Sequence, residues 1–157
     1  MGYVVQGDYS FVRNSLFKHL QEKMTGLLFV TGGSDSCRSS LLKDISAATN
    51  TEVLNLSFLL SKEMKILSKG ERPLRASGFL SELLSNRKSV IFDHIELLFD
   101  PQLKLRAINT LRLLARGRSI LTIWPGNVKG EFVTYAQRGH PEFMEARLDN
   151  EVVFKIE

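Results

Sequence analysis

Apolar residues along this chain follow two rhythms: short unbroken runs, and longer stretches with an apolar residue at every third or fourth position. The runs read as buried strands. They are Leu27–Thr31, Glu52–Leu56, Val90–Asp93 and Ser119–Trp124, the last closed by Pro125 and Gly126. The helical rhythm covers Tyr9 to Lys23, with Phe11, Leu16, Leu20 and Met24 on one stripe, and then Ser39–Thr49, Leu59–Leu67 and Leu74–Leu84. Pro101 to Ala115 continues it, with Leu103, Ala107, Leu111 and Leu114 aligned and Pro101 suited to a helix start. Lys69–Pro73 is a turn. Strands separated by helices predict an α/β fold with a parallel sheet flanked by helices. The end differs: Glu131–Tyr135 and Val152–Ile156 read as strands around an irregular Gly139-His140-Pro141 segment, a C-terminal β-strand extension. Neither repeats nor linkers interrupt the chain, so residues 1–157 are expected to form a single domain. Residues 1–25 would be an N-terminal helical segment and 130–157 the C-terminal strands.

Composition narrows the class. The 157 residues suffice for one core, and 43% apolar with 24% charged residues is ordinary for a globular protein. No apolar stretch nears the roughly 18 residues of a membrane span, and no secretory leader is expected in Met1–Asp8. The single cysteine excludes an internal disulfide and a cysteine-based zinc site, and it fits a reducing cytoplasm. A net charge of +4 suits DNA or an acidic partner, and equally a mildly basic solvated surface.

The chemistry concentrates in Gly32-Gly33-Ser34-Asp35-Ser36-Cys37-Arg38-Ser39-Ser40, between a buried strand and a helix. That is the setting of a phosphate-binding loop. Laid on G-x-x-x-x-G-K-[ST], Gly32 and Ser39 match, while Cys37 replaces the second glycine and Arg38 the lysine. Cys37 adds a side chain where the backbone must approach phosphate. Asp35 opposes a polyanion; at ~4 Å and an effective dielectric near 20, one like charge costs about 4 kcal/mol before screening. Arg38 keeps the charge but in a planar fork. Ser39 is suited to Mg²⁺. The bland reading is a Ser/Gly-rich turn that caps a helix.

Ser89-Val90-Ile91-Phe92-Asp93 ends a buried run on an acid, where P-loop proteins orient the magnesium shell. Asp93 is thus the second candidate Mg²⁺ ligand. His94 comes next, where ring-forming ATPases of this class usually place a glutamate base, and Glu96 lies two further on. Asp93, His94 and Glu96 are the candidate catalytic residues. Arg116 and Arg118 flank Gly117 and are either arginine fingers for a neighbouring subunit or solvated turn charges. Trp124 either covers a base or packs in the core, with packing favoured. Thr122 shares its side and is expected below the site. Arg75, Arg87, Lys88, Arg106, Arg112, Arg116 and Arg118 are scattered in sequence, and only a fold decides whether they gather into a DNA-facing patch.

Four segments carry a more selective signal: Phe92-Asp93-His94-Ile95-Glu96-Leu97-Leu98-Phe99-Asp100-Pro101, Trp124-Pro125-Gly126, Thr134-Tyr135-Ala136 and Gly139-His140-Pro141-Glu142-Phe143. In these motifs and their order, from strand one to the C-terminus, the chain resembles BrxF, the small P-loop protein of type 3 BREX bacteriophage-exclusion systems. The resemblance implies a P-loop NTPase-like fold and a cytoplasmic bacterial defence component. Its partners would be a larger ATPase, a methyltransferase-like subunit and a phosphatase-like subunit. It also implies that the loop descends from a site for ATP or ADP with Mg²⁺. Many members end that loop in Gly-x-Gly-Lys-[Ser/Thr], so Asp35, Cys37 and Arg38 depart from the pattern. The expected function is a nucleotide-binding subunit of the defence complex, self-associating or bound to the larger ATPase, with weak or no hydrolysis alone. The alternatives are an active ATPase completed on oligomerisation, and a non-enzymatic scaffold or DNA-binding module on the same fold.

Overall fold

A computed structural model describes residues 2–22 and 25–157. Lys23 and Met24, which the helical stripe included, lie outside the described residues. Six strands form one parallel sheet: β1 (Tyr3–Gly7), β2 (Gly26–Gly32), β3 (Val53–Asn55), β4 (Ser89–His94), β5 (Ser119–Ile123) and β9 (Val152–Ile156). Their spatial order is β1-β9-β2-β5-β4-β3. Three short antiparallel strands, β6 (Asn127–Lys129), β7 (Phe132–Tyr135) and β8 (Met144–Arg147), make a second sheet.

Alternation along the central strands builds two cores. Leu28, Val30, Ile91, Leu121, Phe154 and Ile156 face α1 (Tyr9–Gln21) and α2 (Asp35–Thr49), meeting Val12, Leu16, Leu41 and Ile45. Leu27, Phe29, Val90, Phe92, Ile120 and Val153 face the other way. They meet α3 (Leu56–Met64), α4 (Arg72–Leu84), α5 (Ala107–Leu114) and the second sheet. Phe29, Phe92 and Phe154 are fully buried, and each contributes on the order of 2–3 kcal/mol relative to exposure. Sheets covered on both faces need such continuous apolar runs.

Several elements depart from the pattern-based expectation. Residues 1–25 hold a strand as well as a helix, because Tyr3–Gly7 pairs in parallel with β9. That run is too short and too exposed at Tyr3 and Val4 to announce itself. Phe11 is exposed, and α1 buries Val12 and Leu16 instead. Val152–Ile156 is no extension: β9 lies inside the main sheet, paired with β1 and β2. Asn55 accepts from the Phe58 N–H and starts α3 three residues before Leu59. The expected helix from Pro101 to Ala115 is broken. Asp100 caps a 3-10 turn over Pro101–Leu103, Lys104 is left-handed at φ 52°, and helix resumes at Ala107. Short strands β6 and β8 have too few residues for a readable period.

Candidate functional site

Strand β2 ends at Gly32, and the turn beyond it is tighter than an open loop. Gly32 and Gly33 have φ of 79° and 60°. A Cβ on Gly32 would stand 2.2 Å from the Ile156 carbonyl oxygen, so the end of β9 touches the turn. The chain enters α2 at Asp35, four residues before the expected start. Ser34 explains this: its hydroxyl accepts from the Cys37 N–H at 3.1 Å, an N-cap, and Asp35 in the first turn suits the helix dipole. Asp35–Ser40, expected to belong to the phosphate loop, therefore open a helix, and only Gly32–Ser34 remain as the turn.

Arg38 does not project freely. Its Nη1 donates to the Gly32 and Gly33 carbonyls at 2.7 and 2.9 Å, and Nη2 pairs with the Asp35 carboxylate. The guanidinium satisfies the turn's own oxygens, a role that its fork geometry allows and a lysine would fill less completely. The Cys37 thiol is held below its ordinary pKa, first by a hydrogen bond with the Ser34 side chain and also by the nearby Arg38 charge.

At the C-terminal edge of the sheet lies a cleft of ≈ 650 Å³. Gly32, Asp35, Arg38 and Ser39 line one wall; Gly33, Ser34, Ser36, Cys37 and Ser40 lie outside its lining. Asp93, His94 and Glu96 form the opposite wall, and Trp124, Asn127 and Lys155 complete it. Strand β5 separates β2 from β4, so Asp93 stands about 10 Å across the crevice from the turn, at two strand spacings. Asp93 Oδ1 is buried and has no hydrogen-bond partner among the described residues. A buried oxygen without a partner is costly, and it fits a cation's coordination or hydration shell. Ser39 brings an exposed hydroxyl to the same cleft. Among the described residues no group of three or more His, Cys, Asp or Glu is arranged to hold a metal. A Mg²⁺ here would take one carboxylate and one hydroxyl from the protein, with water and phosphate supplying the rest.

His94 Nδ1 lies 3.5 Å from Glu96 Oε1, and Ser57 Oγ donates to Glu96 Oε2 at 3.4 Å while accepting from the Leu97 N–H. The start of α3 thereby orients Glu96. Trp124 is a core residue at 2% exposure. Its ring packs on Phe29 and Phe99, and its Nε1 donates to the Thr134 carbonyl at 3.1 Å. Phe99 stacks on Tyr135 with centroids 3.8 Å apart. Gly126 is required beside them, since a Cβ there would meet the Thr134 oxygen at 1.8 Å. Three of the four selective sequence segments thus meet in one aromatic cluster against the cleft. In the fourth, His140 Nδ1 accepts from the Glu142 N–H, which caps that turn. Glu142 borders a second cavity shared with His94, Glu96 and Asp100.

No protein-family model matches the chain, and no curated protein is significantly similar to it.

Other sequence candidates sit elsewhere. Arg118 donates to the Arg87 and Leu114 carbonyls before β5, at the opposite end of the sheet from the cleft, and Arg116 is exposed in the same turn. Thr122 is fully buried, bonds the Ile123 carbonyl and does not line the cleft. The scattered arginines are largely engaged within the protein: Arg75 with Glu63 and Glu82, Arg87 with Glu52, Arg112 with Glu151. Sequence reasoning missed Lys155 and Asn127. Lys155 had a signal: it is the charged residue inside the run Val152–Ile156.

Proposed function

We propose that the protein is a P-loop-type nucleotide-binding subunit of a bacterial BREX defence complex, taking ATP or ADP with Mg²⁺ and hydrolysing it weakly or not at all alone. The observation that carries this reading is the convergence on one cleft of Gly32, Arg38 and Ser39 with the buried Asp93 oxygen that has no partner among the described residues. Crevices at the carboxyl ends of parallel strands are where such folds bind ligands. The packing of the family-like segments against the same cleft supports the BREX assignment. The cleft lining holds Asp35, Asp93 and Glu96 against Arg38 and Lys155, an acidic excess, so a polyanion enters with a divalent cation rather than alone. Weak turnover is expected from an arginine committed to the Gly32 and Gly33 carbonyls and from His94, paired to Glu96, in place of a glutamate base.

Thermal melting tests it. ATP or ADP with Mg²⁺ at one hundred times Kd adds about 2.7 kcal/mol, or roughly 5–10 °C for a domain of this size. Asp93→Asn should remove most of the Mg²⁺-dependent part. No shift with either nucleotide at millimolar concentration sinks the reading and leaves a scaffold whose loop is structural.

A further inference from the structure

We propose that Lys155, on the strand beside the loop, supplies the phosphate-binding ammonium that position 38 lacks. The inference rests on the nucleotide reading above and names the residue that performs its central contact. Lys155 pairs in register with Thr31, the residue immediately before Gly32, and it lines the cleft together with Gly32 and Ser39. The close approach of Ile156 to Gly32 is what brings this strand end up to the turn. Phe154 and Ile156, 1% and 3% exposed, bury their side chains on the opposite face and fix the direction of the lysine between them. β9 is hydrogen-bonded on both sides, so the ammonium stands on a rigid platform one strand spacing, about 4.8 Å, from the loop strand.

The two cations of the cleft are not equivalent. Arg38 commits Nη1 to the Gly32 and Gly33 carbonyls and Nη2 to the Asp35 carboxylate, which ties its guanidinium to the turn. The Lys155 side chain makes no hydrogen bond or ion pair among the described residues. An ammonium and a buried carboxylate oxygen that face one cleft, neither with a partner among the described residues, leave the ammonium a point charge ready for a phosphate oxygen. Arg38 then shapes the turn, Lys155 binds the phosphates from one side, and Asp93 orients the cation from the other.

Titration calorimetry of the full chain with ATP and with ADP in Mg²⁺ tests this on wild type, Lys155→Gln and Lys155→Arg. Loss of a charge-assisted hydrogen bond predicts about ten- to hundredfold weaker binding in Lys155→Gln. Lys155→Arg, which keeps the charge, should retain most of the affinity. Lys155→Met preserves the apolar stem and replaces the glutamine variant if that one no longer melts cooperatively. Wild-type affinity in Lys155→Gln, or equal losses in the glutamine and arginine variants, would overturn the role of Lys155 while leaving nucleotide binding intact. Absence of binding by the wild type would instead bring down the nucleotide reading and this role with it.

Discussion

At the scale of single residues, the substitutions that damage the phosphate-loop pattern are mutually consistent in the structure. Arg38 closes the turn that Gly32 and Gly33 make, and Asp35 holds Arg38 there. Ser34 caps the helix and bonds both the Cys37 N–H and, through the same hydroxyl, the Cys37 thiol. Two consequences are measurable at Cys37. Its lowered pKa raises the thiolate fraction at neutral pH, so alkylation by iodoacetamide should reach half its maximal rate below the pH of a free cysteine. Ser34→Ala removes the principal cause, and the pH–rate midpoint should move upward. An unchanged midpoint would place the cause elsewhere.

At the scale of elements, the return of the chain into the main sheet depends on one buried ion pair. Glu151, whose side chain is 4% exposed, accepts from Arg112 Nε and Nη2 and from the Asp149 and Asn150 N–H groups. Arg112 Nη2 also donates to the Arg147 carbonyl. The pair therefore joins α5 to the β8–β9 connection just before β9 enters the sheet. Removing one partner of a buried pair typically costs about 3–5 kcal/mol. Arg112 is 28% exposed, and solvent screening lowers the expected cost of Glu151→Ala to about 2–3 kcal/mol. Urea unfolding should show a lower midpoint with an unchanged slope. Replacing both residues with Met should recover much of the loss. A midpoint at the wild-type value in Glu151→Ala would mean that the apolar contacts of Val152, Val153 and Phe154 alone hold β9.

At the scale of the whole molecule, the question is which surface meets a partner. Arg75, Arg87 and Arg112 are balanced by Glu63 and Glu82, Glu52 and Glu151, while Arg87, Lys88, Arg116 and Arg118 share the adjoining turns before β4 and β5. With a net charge of only +4, DNA binding by the isolated chain is expected to be weak and confined to that end of the sheet. Each phosphate contact contributes about −0.9 to the log–log salt slope, so titration at two salt concentrations counts the contacts directly. A steep slope would restore the DNA-binding reading. If the proposed BREX reading holds, the surface serves assembly, through self-association, association with the larger ATPase, or both. Sedimentation with and without Mg²⁺-nucleotide should show a larger species whose population tracks the nucleotide. A monomer under every condition, including coexpression with the larger ATPase, would overturn the assembly proposal. Among the described residues no helix is long and apolar enough to cross a membrane.

Local patterns carry much of this information. The runs Leu27–Val30, Val90–Phe92 and Ile120–Ile123 are legible as buried strands because a sheet covered on both faces needs nearly continuous apolar sequence, interrupted here only by the buried Thr122. The pairing of a Gly-rich turn with an acid-ended strand is legible for the same reason: both lie at the ends of such runs. Other features depend on contacts between distant segments. Val152–Ile156 has the composition of a strand, but only pairing with β1 and β2 makes it central, and pairing partners leave no mark in a local period. The length of the loop is not legible, because a cap at Ser34 competes with an open turn and the Arg38 bonds to Gly32 and Gly33 favour the closed form. Lys155 reaches the cleft from a position 116 residues after Ser39 along the chain, brought there by strand order alone. Sequence rhythm specifies which faces are buried, since burial acts on each residue where it stands. The juxtaposition of Lys155, Ser39 and Asp93 arises from the order in which strands pair, a property of the folded chain as a whole.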